Sequence, residues 1–392
     1  MRIDWTGKIT DEFYVLGHAS VPVYLLDGPF PALFDAGFTG LAQVYEKGIR
    51  EVLGTRSPSY LFLTHAHWDH IGSAAYFKAV WPQLQIVGSQ GARDIVVQPK
   101  AVRRIRALNE EAIGALRSWG VPQVYEEKFE PPIFDQVVNP GQTIELGPGL
   151  SVNAIPTPGH TWDFLSYWVP EKKILVAAEA AGCDDVSEFL VDYDAYRTSL
   201  EAISQLDVQV LCTGHHMVLT GADARKHLLN SLDQAVDYVA MVECFLLEED
   251  RNVDRVVQRV KVQEWDPKPL PKQPERAYVI NTKARVQTLL KRMEKRRKKV
   301  VSEEKGCSTT IRERMGEEEL VKERTDDEGN KWTKVYFGGG EHFRNWLDQC
   351  KELGEVMVEE VDSTGYKCFE MAGEKLYRIW MKVDGTKEED LF

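Results

Sequence analysis

Four potential metal ligands fall within the six residues His65 to His70 of the segment Thr64-His65-Ala66-His67-Trp68-Asp69-His70. The segment directly follows the apolar run Tyr60-Leu61-Phe62-Leu63. In extended chain, side chains at i and i+2 point the same way, so His65 and His67 can grip one cation together. Asp69 and His70 come as the chain turns into Ile71–Phe77, which reads as a helix start, and they can face a second cation beside the first. Imidazole and carboxylate donors without thiolate suit zinc, and also iron or manganese. Two such ions would bring the pKa of a shared water near neutrality and polarise a carbonyl or phosphoryl oxygen.

Two later stretches end in the same manner. Thr157-Pro158-Gly159-His160-Thr161 follows the alternating run Leu150 to Ile155, and Cys212-Thr213-Gly214-His215-His216 follows Val208-Gln209-Val210-Leu211. Each reads as a short strand whose glycine-containing turn delivers a histidine, so that a sheet presents ligands along one edge. With these motifs in this order, the chain resembles the metallo-β-lactamase fold superfamily of metal-dependent hydrolases from roughly Asp11 to Gly221, a little over half its length.

The resemblance implies an α/β fold, a four-layer αββα sandwich, carrying here a helical insertion and a small α+β C-terminal domain. It implies that His65, His67 and His160 hold one metal and that Asp69, His70 and His215 hold a second, with His216 as the alternative to His215. Asp69 would also orient the attacking hydroxide as the catalytic carboxylate. Two Zn2+ per chain are expected, with Fe or Mn as alternatives, and no organic cofactor. Most members place a metal-bridging Asp where this chain has Glu179, one methylene longer. Glu179 is expected to reach between the metals; its other reading is a cap on the turn Ala180-Ala181-Gly182. Asp35, which ends the strand Ala32-Leu33-Phe34, is expected to support the metal loop by accepting a ligand's other ring N–H, or simply to start a turn.

Thr157–Thr161, the expected hairpin before it and the helical tail after His216 are most similar to the glyoxalase-II and lactonase-like branch. That implies a thioester, lactone or other carboxylic ester opened by a metal-activated water. The fold itself does not fix the substrate. A phosphodiesterase or nuclease of the same superfamily, a mono-iron persulfide dioxygenase-like enzyme and a non-catalytic metal-binding scaffold remain open readings.

Composition narrows the partners. A net charge of −13 argues against general binding to nucleic acid or anionic membranes. The basic run Lys291 to Lys299 stands alone and passes straight into acidic sequence, so it reads as a solvated helix end. No apolar stretch is long enough to span a bilayer, and the start of the chain shows no signal-peptide pattern. The six cysteines are scattered without framework spacing, which fits reduced thiols and a cytoplasmic location. A small-molecule substrate is expected.

The elements that must position the ligands read as follows. Phe13–Leu16 and Val21–Leu26 form a strand pair, and a helix through Gln43–Val52 leads to the metal-motif strand. From about Ile95 to Glu130 an insertion reads as two helices broken at Gly120-Val121-Pro122, placed to form a lid or a packing appendage. Asp135 to Gly149 reads as a hairpin feeding the His160 strand. Lone His227 sits on an apolar helical stripe and reads as a packed or surface residue rather than a ligand. The expected organisation is a hydrolase domain at 1–299 with a helical C-terminal extension, a flexible charged linker at 300–330 and a small β-α-β-β-β domain at 331–392. The small domain shows no ligand cluster and is expected to be a binding or homo-oligomerisation module.

Overall fold

The computed structural model describes residues 1–118, 124–183, 186–216, 218–269, 272–304, 316, 318–362 and 375–383. They form two compact units, Met1–Glu294 and Lys295–Phe392.

In the first unit two seven-stranded sheets carry the site. The first runs, in spatial order, through Gly7–Lys8, Phe13–His18, Val21–Leu26, Ala32–Phe34, Tyr60–Phe62, Gln85–Gly88 and Gln136–Val137. The second runs through Arg2–Ile3, Val218–Thr220, Val210–Thr213, Ile174–Ala178, Leu165–Val169, Ser151–Pro156 and Thr143–Glu145. The period-2 alternation of a strand decides the layers. In Val21–Leu26, Tyr24 and Leu26 enter the core between the sheets, whereas Val23 and Leu25 face an outer helical layer with Tyr45, Ile49 and Phe77. In the second sheet, Tyr167 and Val176 point inward, while Trp168 and Leu175 pack on helices with Leu200, Leu228 and Val286. Sheets buried on both faces explain the near-continuous apolar strands. The result is the four-layer αββα sandwich.

Strand direction places the ligands. Ala32–Phe34 and Tyr60–Phe62 pair in parallel, as do Ile174–Ala178 and Val210–Thr213. Ser151–Pro156 runs the same way as Ile174–Ala178, because each is antiparallel to Leu165–Val169 between them. In each sheet, therefore, the strands that lead into Asp35, His65, His160, Glu179 and His215 end along one edge.

Several expectations change. The insertion is one long helix, Pro99–Ser118, preceded by Gln90–Val96. The break falls before Pro99, whose fixed φ and missing N–H suit a first helical turn. Gly120-Val121-Pro122 lies outside the described residues, and Val124–Glu130 carries no helix. Asp135–Gly149 is not a hairpin, because Gln136–Val137 ends the first sheet while Thr143–Glu145 edges the second. This segment is the crossing between sheets, and Val138 and Leu146 are buried in the core that they share.

The second unit holds a four-stranded sheet in the order Glu323–Thr325, Lys331–Gly338, Leu376–Lys382, Val356–Val361, with the helix Gly340–Leu353. Tyr366–Phe369, whose sequence reads as one strand of the expected β-α-β-β-β pattern, lies outside the described residues. Its first strand falls inside the stretch expected to be linker, and the helix Glu275–Glu304 enters that stretch from the other side. The hairpin turn at Asp326 sets this boundary: its carboxylate accepts the N–H groups of Glu328 and Asn330. Among the described residues, no helix is long and apolar enough to cross a membrane.

Candidate metal centre

The histidine motif leaves the strand Tyr60–Phe62 in extended conformation and closes into the short helix Trp68–Ile71. His65 and His67 are therefore delivered side by side, with ring centroids 4.5 Å apart, and His70 returns one helical turn later to within 4.3 Å of His65. His160 meets both, at 5.2 Å from His65 and 4.9 Å from His67. Three sets converge, each with its ligand atoms within 4.8 Å of one another: His65, His67 and His160; His65, His70 and Glu179; and Asp69, His70 and His215. His216 is in none of these sets; its backbone N–H bonds Ala19 at φ 62°. Of the doublet, His215 is the one brought to the cluster.

Outer hydrogen bonds aim the rings. His70 Nδ1 donates to Asp35 Oδ2 at 2.8 Å, and Asp35 Oδ1 accepts from the backbone N–H of Thr64 at 2.8 Å. Asp35 thus binds both ends of the motif, from a left-handed backbone at φ 57°. His160 Nδ1 donates to the carbonyl of Glu188 at 2.5 Å, and His215 Nδ1 to that of Ser20 at 2.5 Å. In each of these three rings the Nδ1 bond leaves Nε2 free to serve as the ligand atom. Asp163, which sequence reading passed over, accepts the Ala66 N–H at 2.8 Å and steadies the loop between the first two histidines. Its position three residues after His160 was a signal only in retrospect, because the contact spans 97 residues.

Glu179 reaches the middle of the cluster. Its Oε1 lies 2.9 Å from His70 Nε2 and 3.1 Å from His215 Nε2, while Oε2 faces His65 Nε2 at 3.9 Å. The residue is the first of the turn Glu179–Ala181, but the cap position belongs to Ala178 and no side chain caps the turn, so the expected capping role of Glu179 is not found. Room for the extra methylene comes from Gly214, where a Cβ would stand 2.2 Å from Glu179 Oε1. The turn is held from behind by His227 and Ser231, which both bond the Ala181 carbonyl. His227 is thus a packed residue.

Two buried atoms test whether a cation fits. His65 Nε2 and Glu179 Oε2 have no hydrogen-bond partner. An unsatisfied buried polar atom costs about 1–3 kcal/mol, and a divalent ion would satisfy both. The donors are imidazole nitrogens and carboxylate oxygens, a set that fits zinc, iron or manganese. Electrostatics agree. Burial, reinforced by neighbouring imidazoles, pushes His65 well down and His160 down to about 3, keeping both neutral as ligands must be. Burial opposes charge on Asp69 and Glu179, but the adjacent histidines win, holding Asp69 at about 2 and Glu179 well below the usual carboxylate range. Against burial, His70 is raised by Glu179 and Asp35, and His215 is raised to about 10 by Asp69 and Glu179. A dication would displace those protons.

Comparison with known proteins agrees with this architecture. The chain is 25% identical over 215 residues to the Beta-lactamase-like protein 2 homolog of Caenorhabditis elegans, covering 52% of this chain and 61% of that one. It is 23% identical over 240 residues to the Putative diflavin flavoprotein A 2 of Synechocystis, covering 55% of this chain and 36% of that one. The chain thus spans only part of these relatives. The crystal structure of the metallo-beta-lactamase family protein TTHA1429 from Thermus thermophilus superposes with a TM-score of 0.53 at 18% identity, over 73% of this chain and 95% of that one. A family model described as the metallo-beta-lactamase superfamily matches residues 17–215. That match begins in the first strand pair and ends on His215, the last histidine of the cluster, and the chain belongs to the metallo-beta-lactamase superfamily.

Proposed function

We propose that this metal-dependent hydrolase opens a thioester, lactone or other carboxylic ester by attack of water at a two-zinc centre. The observation that carries the reading is Glu179, one buried carboxylate whose two oxygens face different histidine sets. His65, His67 and His160 would hold one ion, Asp69, His70 and His215 the other, with Glu179 between them. Bound there, the ions would supply a water acidified to near neutrality and a Lewis acid for the substrate oxygen. Asp69, kept anionic beside His215, accepts a hydrogen bond from the attacking water and orients it. Asp35, Glu188 and Ser20 keep the rings of His70, His160 and His215 from rotating.

The ester class is favoured by the likeness of Thr157–Thr161 and the helices after His216 to the glyoxalase-II and lactonase-like branch. A side-by-side assay on a simple thioester, a lactone and a bis-aryl phosphodiester tests it. Faster turnover of the thioester or lactone is expected, and clearly faster phosphodiester cleavage would move the protein to the nuclease class. The same donor set suits iron equally, which supports a second reading, a mono-iron persulfide dioxygenase-like enzyme. Iron rather than zinc in the purified protein would favour it. A cytoplasmic location, with the small domain as a binding or oligomerisation module, completes the proposal.

A further inference from the structure

Behind His160 lies a fully buried arginine that sequence reading did not single out. Arg285 sits on the helix Glu275–Glu304 and is 0% exposed. Its Nη1 donates to the Ser187 carbonyl at 2.9 Å, and its Nη2 to Glu264 Oε2 at 3.1 Å and Thr282 Oγ1 at 2.8 Å. The guanidinium also lies over the Tyr238 ring, 4.4 Å from its centroid. Asn281 and Thr288 flank it at i−4 and i+3, on the same helix face. Asn281 Nδ2 donates to Glu188 Oε2 at 3.3 Å, and Thr288 Oγ1 to the Leu190 carbonyl at 2.8 Å. One helix face therefore grips Ser187, Glu188 and Leu190. The Glu188 carbonyl in this loop is the acceptor of His160 Nδ1. The loop is also tied to Gly159, whose carbonyl receives the N–H groups of Leu190 and Val191 at 3.1 Å each.

Burying a guanidinium is costly, and an apolar side chain would pack such a helix at least as well. What the arginine adds is a rigid, directional donor that fixes a backbone carbonyl. We propose that the Asn281–Arg285–Thr288 face is a positioning element for the metal centre. It sets the Glu188 carbonyl, which sets the His160 ring and so the affinity for the ion that His160 helps to hold. The inference rests on His160 being a ligand.

The test uses the full chain with Arg285→Lys, Thr288→Val and, as reference, His160→Ala. Thr288→Val removes one loop bond without leaving a buried charge, so it remains informative if Arg285→Lys folds poorly. Zinc affinities are measured by chelator competition, and the His160 Nδ1–H resonance is followed by nitrogen-correlated NMR. Arg285→Lys is expected to weaken the ion at His65, His67 and His160 by about 10–100-fold, as loss of a ligand's outer partner does. The ion at Asp69, His70 and His215 should change far less. Thr288→Val should shift both readouts in the same direction by a smaller amount, and the His160 proton should exchange faster in both variants. Equal weakening of both ions with an unchanged His160 resonance would mean a merely structural arginine and would overturn the proposal. So would an unchanged resonance with unchanged affinities. If His160→Ala binds zinc as the parent does, the ligand assignment fails, and the resonance in Arg285→Lys still decides whether this helix face holds the ring.

Discussion

Two buried glutamates, one in each unit, show how the same side chain serves different ends. Glu318 in the small domain is 6% exposed and enclosed by permanent cations. Arg378 Nε donates to its Oε1 at 2.8 Å, Arg378 Nη2 bonds Oε2, and Lys334 Nζ donates to Oε1 at 2.8 Å. Both of its oxygens are matched by groups that the chain itself supplies. Glu179 in the first unit is 4% exposed, faces titratable imidazoles instead, and leaves Oε2 without a hydrogen-bond partner. Fixed cations and full satisfaction mark a carboxylate used for cohesion. Histidines and an unmatched lone pair are what the proposed metal-holding role of Glu179 calls for.

The contrast breaks most visibly at the centre. Glu179→Ala should retain about one ion, since three histidines can still hold the first, and activity should fall by about 100-fold or more. Metal titration alongside the ester assay checks it; two tight ions with parental turnover would remove Glu179 from the ligand set. His67→Ala should lose the ion held by His65, His67 and His160, together with hydrolysis, while the chain stays folded. Full metal content in that variant, by elemental analysis, would exclude His67 as a ligand.

At Glu318 the effect should be on stability and independent of metal. Glu318→Gln removes the carboxylate charge from two partly buried cations, of which Arg378 keeps Glu359 as a partner, so it should cost the small domain about 2 kcal/mol, read from denaturant unfolding followed by tryptophan fluorescence. The pH dependence has a definite sign. Burial raises the Glu318 carboxyl, but its bonds to Arg378 and Lys334 outweigh this and hold it below its ordinary value of 4.5. Its contribution is therefore complete above pH 4.5 and is lost as pH falls through the lower folded value. Glu318→Gln should flatten that acid limb, and an unchanged limb would deny the ion pairs their role. The smallest effect is expected from ending the chain after Glu294, the limit of the first unit. Metal content should not change, because every proposed ligand and the Arg285 face precede that point; a metal-free or aggregated product would contradict this.

How much of this was legible in sequence follows from distance along the chain. His65, His67, Asp69 and His70 are adjacent, so strand and helix periodicity were enough to show them converging. Their joining to His160 and His215 came through resemblance, because local spacing cannot show that separate strands share an edge. Gly214 making room for Glu179, Asp163 bonding Ala66 and Arg285 bonding Ser187 were invisible: each depends on the fold bringing distant residues together, in the last case 98 positions apart. The supposed hairpin at Asp135–Gly149 failed for a related reason. Two short strands around an Asn-Pro-Gly turn look alike whether they pair with each other or with different sheets. The stretch 300–330 looked like linker because its composition is charged, yet Glu318 there is buried by cations from strands that follow.

The central claim is that Glu179 stands between two ions. Elemental analysis of the full chain, purified without added metal and then titrated with zinc, tests it most directly. The account predicts saturation at two divalent ions per chain, with hydrolysis appearing as the second site fills. Saturation at a single iron, or no tight binding at all, would contradict it.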